Sequence, residues 1–420
     1  MSRVIALLLL VAAAVAAVPA SASADEAVAE TSRPTPLAAF GGWSAWSRTD
    51  AGGRYVLQLR SPGGDVSDAP LPSSSAPWDV SLGPDAGGAV TAVYRRCRAR
   101  GCDVDRLDVA SGRTETLRPV SSPSFDEATP AIWRSTVVFT RRIRGCDVPY
   151  VKDLRSSAPS RRLLHARCLE TPAGQASIRG SRILVSSVDL SGADEHGAGR
   201  KTSEIRRYSA RGGASSVLLR QTFGEESNLF GQVAQDDRFA WTVRTGIHQA
   251  NAFVRVPLGQ GARQEVRAFR TLGPGFAHTP DGGSLYLELQ DDDGAVPSRI
   301  VAAAADPFGS TVHALTPELT VGYTGTPRPG GPLAFSGALT RRIVAGGESL
   351  RIDPVVGVSV DLRARLGQSP ERFVGTGLTA TTGIDGTWAI TLPSLPGSPW
   401  YTAVAATPGV LTWAGRGTVG

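Results

Sequence analysis

Short apolar segments, each preceded by a polar turn of one or two small residues, recur along most of the chain at a nearly constant interval. Six of them begin, in order, at Trp43, Ala89, Thr136, Arg182, Arg238 and Ser284. The intervals between successive starts are 46, 47, 46, 56 and 46 residues. The longer fourth interval contains a polar insertion over 191–202. The chain is therefore predicted to contain six copies of one structural unit.

Each unit reads as four short strands, which we label A to D. In the second unit the alternation of apolar and polar residues predicts strands over 78–82, 89–94, 104–109 and 114–117. A repeat of this length, filled by short strands, is typical of a β-propeller with one four-stranded blade per repeat. We predict an all-β fold with a six-bladed β-propeller over 35–316. Seven blades are the alternative, because the third to fifth repeats lack the Pro-Asp-Gly turn between strands A and B.

The repeat ends near Thr316-Pro317, and a second unit follows. Residues 317–332 are rich in glycine and proline and are predicted to be a linker. Alternating segments at Val358–Arg363, Thr376–Thr382, Thr387–Leu392 and Tyr401–Ala405 then predict short strands over 333–420. A unit of this size with such strands is predicted to be a small β-sandwich.

The first 24 residues have the pattern of a signal peptide. Arg3 supplies a positive charge, 4–18 are apolar, and Ala22-Ser23-Ala24 is a typical cleavage signal before Asp25. A retained membrane anchor is the alternative, although the apolar run is shorter than the roughly 20 residues that span a bilayer. We expect a secreted or surface-associated protein without a transmembrane segment in the mature chain, and a disordered segment over 25–34.

Four cysteines in an exported chain suggest two disulfides. Cys97–Cys102 would close the tip of a hairpin in the second repeat, and Cys146–Cys168 would join two strands of the third. A zinc site is the alternative, but no second Cys-x-x-Cys pair or histidine cluster supports it.

The turn Gly83-Pro84-Asp85, the turn over 279–283 and the strand with its turn over 106–113 resemble secreted bacterial propellers of the TolB-like, WD40-like class. This resemblance covers about 35–316. It implies the fold and not a function, since the shared motifs are residues that form turns. The segments 383–390 and 398–403 look like the Ig-like or prealbumin-like repeats of bacterial surface proteins, over roughly 333–420.

Arginine dominates the charge of the chain. Lysine and arginine total 44 against 38 acidic residues, and only Lys152 and Lys201 are lysines. Seven arginines fall in the B–C hairpins of the second and third repeats: Arg95, Arg96, Arg98, Arg100, Arg141, Arg142 and Arg144. Guanidinium groups suit carboxylates, sulfates and phosphates, so this sector is predicted to bind an anionic ligand. A purely solvated face is the alternative, and an exported protein makes a nucleic-acid partner unexpected.

Two other groups of residues are weaker candidates. Asp291, Asp292 and Asp293 precede a glycine and could hold calcium, although a solvated hairpin tip explains them as well. Asp194, Glu195 and His196 in the fourth-repeat insertion could contact a ligand or form only a mobile loop. The aromatic residues of the C-terminal unit could stack on carbohydrate or form its core; they are Trp388, Trp400, Tyr401 and Trp413.

The sequence contains neither a G-x-S-x-G nor an H-E-x-x-H motif. No catalytic residue is assigned, and an enzyme is less expected than a binder. We predict an exported non-enzymatic binding or scaffold protein whose propeller loops bind a glycan, an anionic polymer or a protein. The alternative is an extracellular lyase or glycosidase with its site at the central channel, marked by two converging carboxylates. No cofactor is expected beyond the calcium candidate.

Overall fold

The computed structural model describes residues 24–31, 33–99, 101–163, 176–193, 199–223, 228–246, 251–278, 283–289, 298–325, 330–365, 374–393, 400–406 and 413–415. The regular structure over these ranges is entirely β-strand. Among the same residues, no helix is long and apolar enough to cross a membrane. The predicted signal peptide lies, apart from Ala24, outside the described residues.

Strand β1 (Glu26–Thr31) is the first strand among the described residues, and antiparallel sheets follow it in sequence order. The first three blades consist of β2 (Ala38–Phe40), β3 (Trp43–Thr49), β4 (Tyr55–Arg60) and β5 (Val66–Asp68); β6 (Val80–Pro84), β7 (Val90–Arg98), β8 (Gly101–Asp108) and β9 (Thr114–Thr116); and β10 (Glu127–Trp133), β11 (Thr136–Ile143), β12 (Cys146–Asp153) and β13 (Arg161–Arg162).

The next three blades have the same order from inner to outer strand. They consist of β14 (Ala176–Arg179), β15 (Arg182–Ala193), β16 (Gly199–Ser209) and β17 (Ser216–Phe223); β18 (Asn228–Phe230) with β19 (Ala234–Gln235), β20 (Phe239–Gly246), β21 (Ala252–Pro257) and β22 (Gln264–Arg267); and β23 (Leu272–His278), β24 (Ser284–Glu288), β25 (Ser298–Ala303) and β1. Strands β15 and β16 extend into most of the predicted polar insertion, while Asp194, Glu195 and His196 lie outside the described residues.

The sheets are arranged in a ring. The inner strand of each blade contacts the inner strand of the next, and β23 contacts β2. Within the described residues, six apolar clusters each join two neighbouring blades, including the cluster between the sixth and the first. A single repeat cannot bury its apolar faces alone, so each blade is stabilised by its neighbours. The fold is an all-β propeller, and the count of six blades stays a prediction.

The ring is closed by the N-terminal segment. Strand β1 pairs antiparallel with β25, from Glu26 opposite Ala302 to Thr31 opposite Ser298. The predicted disorder over 25–34 is therefore wrong for these residues. Ala27 and Ala29 are buried on either side of the half-buried Val28, but such small side chains give only a weak apolar pattern.

The C-terminal unit contains two sheets. In the first, β29 (Pro332–Ala345) pairs with β26 (His313–Ala314), β27 (Glu318–Leu319), β28 (Gly322–Thr324), β30 (Glu348–Pro354) and β33 (Thr387–Pro393). The second contains β32 (Val374–Thr381), β31 (Ser359–Arg365), β34 (Trp400–Ala406) and β35 (Trp413–Gly415).

A shared apolar core that includes Phe335, Leu362 and Trp388 lies between these two sheets. The linker predicted over 317–332 is wrong in part, because β27 and β28 are strands of the first sheet. The predicted propeller boundary at 316 is also too late, since β26 pairs with β29. The Ig-like or prealbumin-like resemblance stays a prediction.

The disulfide predicted for the second repeat is present. Cys97 and Cys102 face each other across the β7–β8 hairpin and are bonded. Cys146 is also disulfide-bonded. Cys168, its predicted partner, lies outside the described residues, so that pairing stays a prediction.

Candidate functional site

The B–C hairpins and the loops that lead into the A strands lie on one face of the ring, which we call the B–C face. A cavity of about 470 Å³ opens there, and we call it the channel-mouth cavity. Its walls combine prolines, carboxylates and arginines: Pro34, Pro36, Pro77, Pro274, Asp79, Asp126, Glu127, Asp147, Arg95 and Arg142. The volume lies within the range of about 300–1,000 Å³ that is usual for ligand pockets.

Gln232 is one of the residues that line this cavity. Its Oε1 accepts hydrogen bonds from Leu37 N at 2.7 Å and from Phe276 N at 3.1 Å. The same side chain also lines a smaller cavity of about 70 Å³. One amide thus links the fifth, sixth and first blades between the two cavities.

The inner strands approach each other closely beside Gln232. A Cβ added at Gly275 would lie 2.6 Å from the carbonyl oxygen of Thr35, and a real Cβ does not come that close to an oxygen. Gly275 and Thr35 both line the channel-mouth cavity, so this close backbone contact forms part of its wall.

Two arginines of the second blade are paired with carboxylates on the same hairpin. Arg98 contacts Asp103 at 2.9 Å and Asp105 at 2.7 Å, and Arg96 contacts Asp105 at 3.4 Å. Arg95 lines the channel-mouth cavity and has no carboxylate within salt-bridge distance among the described residues. Arg100 lies outside the described residues.

The third blade holds Arg141 below the surface. Its Nε donates to Glu127 Oε1 at 3.0 Å, and its Nη2 donates to Val120 O at 2.9 Å. The guanidinium carbon also lies 4.9 Å from the ring centre of Tyr150. Arg141 is therefore a structural cation.

The other two arginines predicted for the B–C hairpin of the third blade, Arg142 and Arg144, are exposed. Arg142 Nε contacts Asp147 Oδ1 at 3.2 Å. Arg144 has a positive φ of 53°, does not line the channel-mouth cavity, and has no carboxylate partner in the described part of the chain.

Glu127 is the most perturbed carboxyl at this site. Burial raises its pKa to about 7, although hydrogen bonds from Ser122 N and Arg141 act to lower it. Ser122 N donates to Oε2 at 3.2 Å, and Arg141 occupies Oε1. Both oxygens are thus engaged by the protein, and the side chain is fully buried.

Asp79 lies at the start of the second blade and corresponds to Asp126 of the third, since Arg95 N donates to Asp79 O and Arg142 N donates to Asp126 O. Its Oδ2 accepts a hydrogen bond from Thr129 N at 2.5 Å. Thr129 has a φ of 47°, a conformation that non-glycine residues rarely adopt. Asp79 therefore stabilises an unusual backbone turn at the edge of the cavity.

Most arginines of the predicted sector are paired with carboxylates. In the described part of this face, six of the predicted arginines stand among six carboxylates: Asp79, Asp103, Asp105, Asp126, Glu127 and Asp147. Sequence reasoning missed the acidic residues. Those at the start of the A strands, Asp79 and Asp126-Glu127, recur at equivalent positions and could have been found from the repeat.

The two remaining sets of candidates are the aspartates of the sixth repeat and the aromatic residues of the C-terminal unit. Asp291, Asp292 and Asp293 lie outside the described residues, and no group of three or more potential metal ligands occurs among those described. Trp388 and Tyr401 are buried in the sandwich core, as the core alternative predicts. The side chains of Trp400 and Trp413 are not among those described.

His278 is a buried polar side chain of the sixth blade. Its ring stacks on Trp241 at 4.0 Å between ring centres, and its Nδ1 lies 2.8 Å from Ser284 Oγ. These contacts hold the imidazole inside the junction of the fifth and sixth blades.

No protein-family profile and no curated protein sequence matches the chain. Among solved structures, TolB from Acinetobacter baumannii is 16% identical, with 64% of this chain and 65% of that chain covered and a TM-score of 0.42. A puromycin-hydrolysing peptidase of Mycobacterium tuberculosis is 14% identical, with 83% and 57% covered and a TM-score of 0.42. This chain therefore spans less than two thirds of the length of TolB and of the peptidase.

The β-propeller domain of the Trilobed protease from Pyrococcus furiosus is also similar. It is 9% identical, with 76% of this chain and 97% of that chain covered and a TM-score of 0.39. The structural neighbours of this chain are thus TolB and other β-propeller proteins, and the similarity is one of fold.

Proposed function

We propose that this protein is an exported, non-enzymatic binding protein whose propeller holds a short peptide segment of a partner protein in the channel-mouth cavity. The observation that carries the proposal is the cavity itself, where Arg95 and Asp126 stand among four proline rings. Such a surface offers a cation, an anion and apolar walls within one pocket.

The balance of charge favours a peptide over an anionic polymer. A polyanion needs unpaired cations, whereas Arg96, Arg98, Arg141 and Arg142 are each paired with a carboxylate. A peptide carries donors, acceptors and charges of both signs, which this wall can match. Arg95 would bind a carboxylate of the peptide, and the exposed Asp126 would bind an ammonium or guanidinium group.

Catalysis at the same place has weaker support. The enzymatic alternative needs two carboxylates that both reach a substrate. Asp79 and Glu127 lie at the starts of neighbouring A strands, but both are buried and both accept hydrogen bonds from the protein. Export is supported by the Cys97–Cys102 disulfide, since such bonds persist in oxidising compartments.

Peptide selection by purified mature protein tests the proposal. Immobilised protein should enrich short peptides that carry an acidic residue, and Arg95→Glu should shift the enrichment toward basic residues. Asp126→Asn should weaken binding of basic-residue peptides by roughly tenfold, because it removes charge while keeping the acceptor for Cys102 N.

Arg144→Glu is the matched control, since it reverses an exposed charge on the same face outside the cavity. The proposal is wrong if no peptide is enriched, or if Arg144→Glu shifts the selection as strongly as Arg95→Glu.

A further inference from the structure

A second opening lies on the opposite face of the ring, between the third and fourth blades. Its volume is about 720 Å³, and we call it the blade-junction groove. Its walls are the A–B turn at Arg134-Ser135, the segment 153–161, the turn at Gly180-Ser181 and the turn at Ala210-Arg211. It shares no wall residue with the channel-mouth cavity.

The groove has an excess of positive charge that the B–C face lacks. Arg134, Arg155, Arg161 and Arg211 line it, and Asp153 is the acidic residue among its lining residues. Asp153 is paired with Arg155 at 3.4 Å. Arg134, Arg161 and Arg211 have no carboxylate within salt-bridge distance in the described part of the chain.

Arg134 stands where other blades use glycine. Its φ is 57°, and the same first position of the two-residue A–B turn is Gly41 in the first blade, with a φ of 58°, and Gly180 in the fourth, with a φ of 60°. A non-glycine residue in this conformation is unfavourable for the backbone. Arg134 N also donates to Pro84 O at 2.6 Å, which fixes the turn. A guanidinium is thus presented at the groove at a cost in backbone energy.

The segment 156–158 beside the groove is fixed by hydrogen bonds from Lys152. The buried ammonium of Lys152 donates to the carbonyl oxygen of Ser156 at 2.6 Å and to that of Ala158. Arg161, at the end of the wall segment 153–161, joins it to the turn at Ala210-Arg211, because its Nη2 donates to Ala210 O at 2.8 Å. The wall is therefore preorganised, which lowers the entropy cost of binding.

Trp133 adds a fixed aromatic surface to the groove. Arg179 lies 5.1 Å from its ring centre and is itself held by Asp237 through contacts of 2.6 and 2.7 Å. Phe40 packs edge-on against the same indole at 5.9 Å. A tryptophan ring supplies the apolar face that sugar rings stack on.

We propose that the blade-junction groove binds an acidic oligosaccharide, with Arg134, Arg161 and Arg211 contacting its carboxylate or sulfate groups and Trp133 contacting a sugar ring. The anion-binding site expected on the B–C face would then lie on the other face. Neither site depends on the other.

Binding to defined probes tests this proposal. Fluorescent oligogalacturonate and a sulfated oligosaccharide separate the two anion chemistries, neutral dextran controls for the sugar alone, and polyphosphate controls for charge alone. We expect at least one acidic sugar to bind, to bind more tightly than polyphosphate, and to weaken steadily as salt is added.

The combined change Arg134→Gln, Arg161→Gln and Arg211→Gln should weaken that binding by about tenfold or more. If the triple variant does not fold, the double change at the exposed Arg134 and Arg211 replaces it. Trp133→Phe should weaken sugar binding while leaving polyphosphate binding unchanged.

Arg144→Gln is the matched control, because Arg144 is also exposed, unpaired among described residues and at positive φ. Unchanged binding in the arginine variants, equal binding of polyphosphate, or an equal loss in Arg144→Gln would overturn the proposal. Arg95→Glu should not affect the acidic sugars, so failure here and failure of the peptide site are distinguishable.

Discussion

The hydroxyl of Tyr286 donates a hydrogen bond of 2.9 Å to Oδ2 of Asp25, which is 261 positions earlier in the chain. Both side chains are buried. Oδ1 of Asp25 accepts a further bond from Ala304 N at 2.9 Å and lies 3.7 Å from His313 Nε2. Burial raises the pKa of Asp25, while these hydrogen bonds and His313 oppose the rise.

Tyr286→Phe should lower the free energy of unfolding by about 1–3 kcal/mol, because it removes a donor from a buried carboxyl without changing the packing. Urea denaturation of the two proteins measures the difference. Tyr323→Phe is the control, since Tyr323 is 43% exposed. Equal losses in the two variants would show that the Asp25 contact contributes nothing.

Glu127 should make the folded state less stable as the pH rises. Its pKa is about 7 in the folded protein and about 4.3 in an unfolded chain. The folded state therefore holds a proton that the unfolded state has lost between these values, and stability falls as the pH increases through this window.

Glu127→Gln should remove most of that fall, which is at most about 4 kcal/mol. Urea midpoints at pH 5 and pH 7.5 for both proteins provide the comparison. If the wild-type midpoint does not decrease over this range, the carboxyl is already ionised in the folded state and Arg141 dominates its environment.

Glu288 is the shared counter-ion of two buried arginines. Arg270 Nη1 lies 2.6 Å and Arg299 Nη2 lies 2.9 Å from Glu288 Oε1, and all three side chains are almost fully buried. Burial alone would raise the pKa of Glu288, but the two guanidiniums outweigh it and lower the pKa. Its stabilising charge is therefore present at neutral pH and is lost only on acidification.

Glu288→Gln should destabilise the protein by about 3–5 kcal/mol, because two buried cations lose their counter-charge. Thermal unfolding provides the measurement. The exposed pair formed by Arg106 and Glu115 is the comparison, and Glu115→Gln should cost about 1 kcal/mol or less. A loss for Glu288→Gln within that smaller range would contradict the prediction.

Non-reducing peptide mapping should find Cys97 linked to Cys102 and Cys146 linked to Cys168. Removing the first bond by a double change to serine should cost about 2 kcal/mol at most, since it closes a very short loop. The second closes a longer loop and should contribute about 3 kcal/mol in the same chain-entropy estimate. A link between Cys102 and Cys146, or free thiols at these positions, would show that the predicted pairing is wrong.

The repeat could be predicted from the sequence because strand alternation and turn residues are local signals. Strand β1 could not, since its pairing with β25 joins residues 26 and 302. A boundary placed by composition alone likewise missed β27 and β28, whose few residues become strands only through pairing with β29.

The arginines of the candidate site could be identified from the sequence, but only some of their carboxylate partners could. The register that follows from the Cys97–Cys102 pair puts Arg96 opposite Asp103 and Tyr94 opposite Asp105. The carboxylates of this hairpin could therefore have been placed beside its arginines, but the contact between Arg98 and Asp105 could not. Arg141 and Glu127 face each other across an irregular pairing of β10 with β11, which the sequence does not reveal. The blade-junction groove depends on contacts between blades and had no sequence signal.

Closure of the ring by β1 has a consequence for the time course of folding. The first strand to be made belongs to the same sheet as β23 to β25, which are made some 250 to 270 residues later. Until those strands are available, Ala27 and Ala29 have no sheet to join, and the edge of β2–β5 remains without its neighbour. Pairing of such distant segments is slow because the chain loses the entropy of loop closure before the stabilising contacts form. The completed propeller therefore forms late, and a chain truncated before residue 298 should remain an open, aggregation-prone array of blades.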